Sequence, residues 1–259
     1  MTEELQMRIF GGEELPTLIY LPGTHGDWTL NGGFRRKVAN RVRLIEFTFP
    51  RTLEWSLEDY ASNVEQKLAE NNIGAGWILA ESFSSQIAWA MAGRNSTDFR
   101  IQAMILAGGF VRHPVIPSVR LAKTLTERIP LWLLRMMLKG YSVYACAREN
   151  NSIEIRAELK EFVERRTKDD LRAAAHRLDL IAHSDLRSIA RASKVRLFYL
   201  TGLVDPIVPW PLVRPWVKKN CMGYQDERIL FGSDHHVLGS AKKSSEQILR
   251  WMTHSRDQQ

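Results

Sequence analysis

Apolar residues fall into short continuous runs near residues 17–22, 43–49, 76–81, 102–107, 195–201 and 227–231, separated by stretches of helical periodicity. A short apolar run bounded by turn residues reads as a strand buried on both faces, and such a strand needs helices to cover it. The alternation predicts an α/β protein: a mostly parallel sheet of about six to seven strands flanked by helices. One helix opens with Ser56 as N-cap and early acidic residues Glu58 and Asp59. It carries Leu57, Tyr60, Ala61, Val64 and Leu68 at helical spacing. Another presents Ile87, Ala88, Met91 and Ala92, a small-residue face suited to close packing on a sheet. Between about 110 and 190 the alternation stops: helical patterns follow one another and Pro114, Pro117 and Pro130 punctuate the start. This divides the chain into a core of residues 1–110 and 191–259 and a helical insertion of residues 111–190. Within it, 153–166 and 169–182 are highly charged and are predicted as surface helices. The run 129–138, which includes Trp132, is predicted to pack on the core or to wall a pocket.

Composition narrows the class. At 259 residues, with 44% hydrophobic and 25% charged, the chain suits one globular domain with an insertion. The N-terminus is acidic and lacks the basic start and apolar core of a secretion signal. No run approaches the ~18 apolar residues of a membrane span. A soluble, cytoplasmic protein with no integral membrane segment is expected. Cys146 and Cys221 have neither metal-binding nor redox spacing and are expected to be reduced; Asn95-Ser96-Thr97 is then a glycosylation sequon without consequence. The net charge of +7 raises nucleic-acid binding, and its densest run is Arg35, Arg36, Lys37, Arg41 and Arg43. That spacing suits a solvated helix face and no nucleic-acid-binding module accompanies it, so no nucleic-acid partner is expected.

Three strand ends carry candidate chemistry. Trp77 to Ser85 runs from an apolar strand directly into a helix and leaves Ser82 at the corner, with Ala80 and Ser84 where the nucleophile elbow G-x-S-x-G has glycines. A helix N-cap is the simpler role for a serine there. Downstream, Asp205 follows a strand and a Gly202 turn, and His235 follows another strand and a Gly232 turn. Ser, Asp and His in that order, each on a loop after a strand, suit nucleophile, orienting acid and general base. His236 lies one residue out of place and is expected beside the site, Asp234 reads as a turn residue, and Glu81 is expected to hydrogen-bond behind the nucleophile. A fourth strand ends in the Gly-rich loop 22–28, which can aim backbone N–H groups at an oxyanion. The donors would be Thr24 and Phe83. His25 is expected to brace that loop or line the pocket, and Trp28 and Trp210 to border it. No H-E-x-x-H or comparable metal spacing occurs, so neither metal nor cofactor is expected.

With A-E-S-F-S, G-x-x-D-x-x-V-P and G-x-x-H in this order, the chain resembles the α/β-hydrolase family of serine esterases and lipases over nearly its whole length. The resemblance implies an α/β-hydrolase fold in which residues 111–190 form a lid, and hydrolysis of a small-molecule carboxylic ester through an acyl-enzyme on Ser82. The same scaffold supports acyl transfer, thioester cleavage and non-catalytic ligand binding.

Overall fold

The apolar runs become strands β2 (Thr17–Leu21), β3 (Arg43–Thr48), β4 (Ala75–Glu81), β5 (Arg100–Ala107), β6 (Arg196–Gly202) and β7 (Tyr224–Leu230). A computed structural model describes residues 4–94, 98–148 and 153–254, the side chains of 144–148 and 153–155 excepted. The sequon at 95–97 and the Cys146 side chain lie outside the described residues. A further strand, β1 (Gln6–Phe10), pairs antiparallel with β3 and completes a seven-stranded sheet of order β1-β3-β2-β4-β5-β6-β7, parallel apart from β1. β1 escaped the periodicity reading because it is a short edge strand, half-buried to exposed, without the apolar run of a two-sided strand.

Helices α1 (Gly32–Val38) and α10 (Ala241–His254) cover one face, and α2 (Leu57–Glu70), α3 (Ser84–Gly93) and α9 (Trp210–Asn220) the other. The period of two in β4 sorts its residues between these layers. Trp77 and Leu79 pack with Phe34, Val38 and Ile248, while Ile78 and Ala80 pack with Tyr60, Val64 and Ile87. The N-cap expected at Ser56 is a reciprocal capping box with Asp59.

Between β5 and β6 come α4 (Ile116–Arg128), α5 (Leu131–Arg148), α6 (Ile153–Glu164), α7 (Lys168–His183) and α8 (Arg187–Ala192). α4 packs against α7, and α5 against α6. α7 is no surface helix. Its Ile181 and Ala182, with Ala190 of α8, join the core cluster of α2 and α3, and its Arg177 is 2% exposed. The basic run is also less free than its spacing suggests. Arg35 shares the fully buried Glu46 with Arg8, Arg36 pairs with Glu158, and Arg43 with Glu13. Among the described residues no helix is long and apolar enough to cross a membrane.

The sheet order dictates where a site forms. β2 and β4 are neighbours, yet β2 leads to α1 on one face and β4 to α3 on the other. Their loops diverge and leave a crevice beyond the strand ends, the usual ligand position in open α/β sheets. Ser82 and Thr24 occupy it.

Candidate active site

Ser82 sits on the corner between β4 and α3 with φ +49°, a left-handed conformation that a serine adopts only when its surroundings hold it there. Those surroundings are specific. The Ser82 N–H donates to Ala107 O at 3.0 Å, and Ser85 Oγ donates to Ser82 O at 2.6 Å while accepting from Phe110 N–H at 3.0 Å. Ser84 Oγ donates to the Pro22 carbonyl. The serines that follow Ser82 thus tie the corner to the loops after β5 and β2, and Ala80 and Ser84, both fully buried, serve where glycine was expected.

The structure brings Ser82, His235 and Asp205 together from three strand ends. Asp205 Oδ1 accepts from the N–H groups of Ile207 and Val208, both at 2.9 Å, which fixes the carboxylate plane. Its Oδ2 lies 2.8 Å from His235 Nδ1, and His235 Nε2 lies 2.9 Å from Ser82 Oγ. A carboxylate only accepts, so His235 Nδ1 carries a proton, and in the neutral imidazole that leaves Nε2 as an acceptor facing the serine hydroxyl. Two glycines let the histidine loop come this close. A Cβ on Gly108, where φ is +58°, would stand 3.1 Å from the His235 carbonyl oxygen, and one on Gly202 would stand 2.2 Å from that of Asp234.

The loop after β2 passes over the serine: a Cβ on Gly23 would lie 3.5 Å from Ser82 Cβ. Among the described residues neither the Thr24 nor the Phe83 N–H donates to a backbone carbonyl. Sequence reading missed what holds this loop: two buried arginines from the helical insertion. Arg177 donates to Thr24 O and to Pro50 O, each at 2.9 Å, and to Tyr60 Oη at 3.3 Å. Arg166 pairs with Asp27 and reaches His25 O at 3.4 Å. Burial works to raise the Asp27 pKa, but Arg166, His25 and the Thr29 hydroxyl bring it down to about 2. His25 both braces and lines: its Nε2–H donates to Asp27 O at 2.8 Å and its ring meets Phe162 edge-on. Burial lowers its pKa from the ordinary 6.5.

His236 points away from the serine. Its Nδ1 is 2.7 Å from Glu81 Oε1 and its Nε2 faces Leu30 O, while Glu81 also accepts from Tyr20 Oη. Burial opposes both charges, yet the pair prevails: Glu81 is held at about 2 and His236 is raised. The expected place beside the pocket is therefore replaced by a buried ion pair behind the site. The tryptophans are placed differently from expectation as well. Trp28 stacks under the Arg8 guanidinium, Trp210 donates to Leu203 O at 3.0 Å within the acid turn, and Trp132 is 67% exposed. None lines the cavity over the loop. Asp234 accepts from the His236 N–H at 3.1 Å, as a turn residue does. His113 is buried beside the acid turn and reaches Ile207 O at 3.2 Å.

That cavity, about 390 Å³, lies between Thr24 and His25 of the loop and helices α4, α5, α6 and α7. Among the described residues no group of three His, Cys, Asp or Glu side chains is placed to hold a metal ion.

No family model matches the chain, and no curated protein matches it. Solved structures do. The enol-lactonase from Burkholderia xenovorans LB400 superimposes with a TM-score of 0.78 at 15% identity, covering 96% of both chains. The esterase from Exiguobacterium antarcticum gives 0.77 at 14% identity, covering 96% of this chain and 95% of the other. MenH from S. aureus gives 0.76 at 11% identity, covering 99% and 100%. The chain has the α/β-hydrolase fold.

Proposed function

We propose that the chain is a serine hydrolase that cleaves carboxylic esters through an acyl-enzyme on Ser82. The observation that carries the reading is the hydrogen-bonded relay from Ser82 Oγ through His235 to Asp205, at 2.9 and 2.8 Å. Ser82 Oγ attacks the ester carbonyl carbon while its proton passes to His235 Nε2. The carbonyl π electrons move to the oxygen, which the Thr24 and Phe83 N–H groups receive. Each such donor contributes about 3 kcal/mol to the transition state. Asp205 stabilises the imidazolium without taking its proton. The tetrahedral adduct then expels the alcohol oxygen, which takes the proton from Nε2. Water, deprotonated by the same nitrogen, attacks the acyl-enzyme; the acid leaves and Ser82 regains its proton.

In this reading residues 111–190 form the lid, and their arginines hold the oxyanion loop as well as covering the site. The substrate is a small-molecule ester and the chemistry needs no cofactor. The structural neighbours named as an esterase and an enol-lactonase lie within the same reaction class.

The test is hydrolysis of p-nitrophenyl acetate and covalent labelling by a small organophosphorus ester, with wild type and Ser82→Ala. Stoichiometric label on Ser82, with both signals lost in the variant, is the expected result. A label on another residue, or turnover that survives Ser82→Ala, overturns the assignment.

A further inference from the structure

The cavity over the oxyanion loop is electrically neutral although charged side chains border it, and this points to what it binds. Arg166 is consumed by Asp27 and by backbone carbonyls. Asp170 accepts from Arg51 at 2.7 Å and from the Thr167 N–H and hydroxyl as a helix cap. His25 Nε2–H is spent on Asp27 O at 2.8 Å, and burial lowers the ring's pKa and so disfavours its charged form. The remaining wall is mostly apolar, with Leu125, Ile129, Leu134, Leu138 and Leu171 beside the Phe162 ring, and the Thr126 hydroxyl is spent on Ala122 O at 2.8 Å. A ligand carboxylate or ammonium here would lose its water and find no free counter-charge, which costs several kcal/mol. An alkyl chain loses nothing and gains up to about 4-fold in affinity per methylene, from ~0.8 kcal/mol each.

Position and size complete the case. Its lining includes Thr24, next in the chain to Gly23, whose added Cβ would stand 3.5 Å from Ser82 Cβ; it also includes the exposed Leu125 and Met137. At ~30 Å³ per heavy atom, the share of a water molecule in the liquid, 390 Å³ holds roughly a dozen heavy atoms. We infer that this cavity is a subsite for an uncharged aliphatic chain of about eight carbons, borne by the ester that Ser82 attacks. The inference rests on the serine-hydrolase reading for its chemistry, but the subsite itself is tested without catalysis.

Methyl octanoate and monomethyl suberate, which carries a carboxylate at the far end of a chain of the same length, are titrated calorimetrically into the full-length Ser82→Ala protein. They are then titrated into the same protein bearing Ala174→Phe or Ala122→Phe, two small lining residues whose enlargement fills the space. Methyl octanoate should bind roughly tenfold or more tightly than the suberate ester, with a negative heat-capacity change. At least one filling variant should weaken it roughly tenfold. Equal affinity for the two esters, or octanoate binding undisturbed by both variants, overturns the inference. Wild-type turnover of methyl octanoate is measured in parallel. Binding without turnover keeps the subsite and rejects the hydrolase reading, whereas turnover of short esters without octanoate binding does the reverse.

Discussion

Replacing Arg177 by Met tests whether the helical insertion sets the chemistry of the loop beneath it. Arg177 is 2% exposed, and among the described residues no carboxylate pairs with it; its guanidinium is spent on the carbonyls of Thr24 and Pro50 and on Tyr60 Oη. Methionine keeps the length and apolar stem but leaves the buried Pro50 carbonyl and the half-buried Thr24 carbonyl without this donor. Each loss costs ~1–3 kcal/mol, partly offset because a cation no longer has to be desolvated. A net loss of about 2–4 kcal/mol, at ~2–4 °C per kcal/mol for a chain of this size, lowers the melting temperature by roughly 10 °C. The second effect is kinetic. With its carbonyl released, Thr24 no longer presents its N–H in a fixed direction, and loss of one oxyanion donor slows turnover by ~10²–10³. Because that interaction forms only in the transition state, kcat should fall by about 10² while KM stays within about threefold. The assay is ester hydrolysis at a temperature where circular dichroism finds the variant folded, together with its thermal melt. A variant that keeps kcat within about twofold of wild type would refute the link between Arg177 and the oxyanion loop.

Three further outcomes follow from the geometry. Asp205→Asn should leave the fold intact but lower kcat by roughly 10⁴, because the amide can donate to Nδ1 and so favours the wrong imidazole tautomer; a loss below tenfold would remove Asp205 from the relay. Gly26→Ala should destabilise the protein by more than about 2 kcal/mol in denaturant titration. Its φ is +78° and the new methyl would stand 2.3 Å from Arg177 Nη1, so an unchanged midpoint would contradict the packing of that arginine. Asp27, lowered from its ordinary 3.8 to about 2, binds fewer protons folded than unfolded, so its contribution is complete above about pH 4 and is lost as pH falls toward 2. It is on the order of 2 kcal/mol. Asp27→Asn should flatten the stability profile in that window, and a variant as acid-sensitive as wild type would show that the Arg166 pair contributes nothing there.

What the chain determined alone was whatever depends on neighbours in sequence. The apolar runs marked the two-sided strands, Ser56 marked a helix start, and the turns around Gly202 and Gly232 marked the ends where Asp205 and His235 leave the sheet. Parallel topology then sent those ends to one rim, so the order of Ser82, Asp205 and His235 was enough to nominate them together. Only the tertiary structure decided the supports. Arg177 sits in α7 and Arg166 in the short connection before it, both in charged stretches that read like any solvated surface, and their partners Thr24 and Asp27 lie 153 and 139 positions away. His236 looked like a bystander to His235 until Glu81, 155 positions distant, was found against it. Trp132 looked like a pocket wall because its run is apolar, but on a helix apolar on several sides the facing direction is set by packing. Periodicity and turn chemistry are local, so sequence carries them; burial of a charge and the shape of a cavity are properties of pairs and surfaces that exist only once the chain has folded.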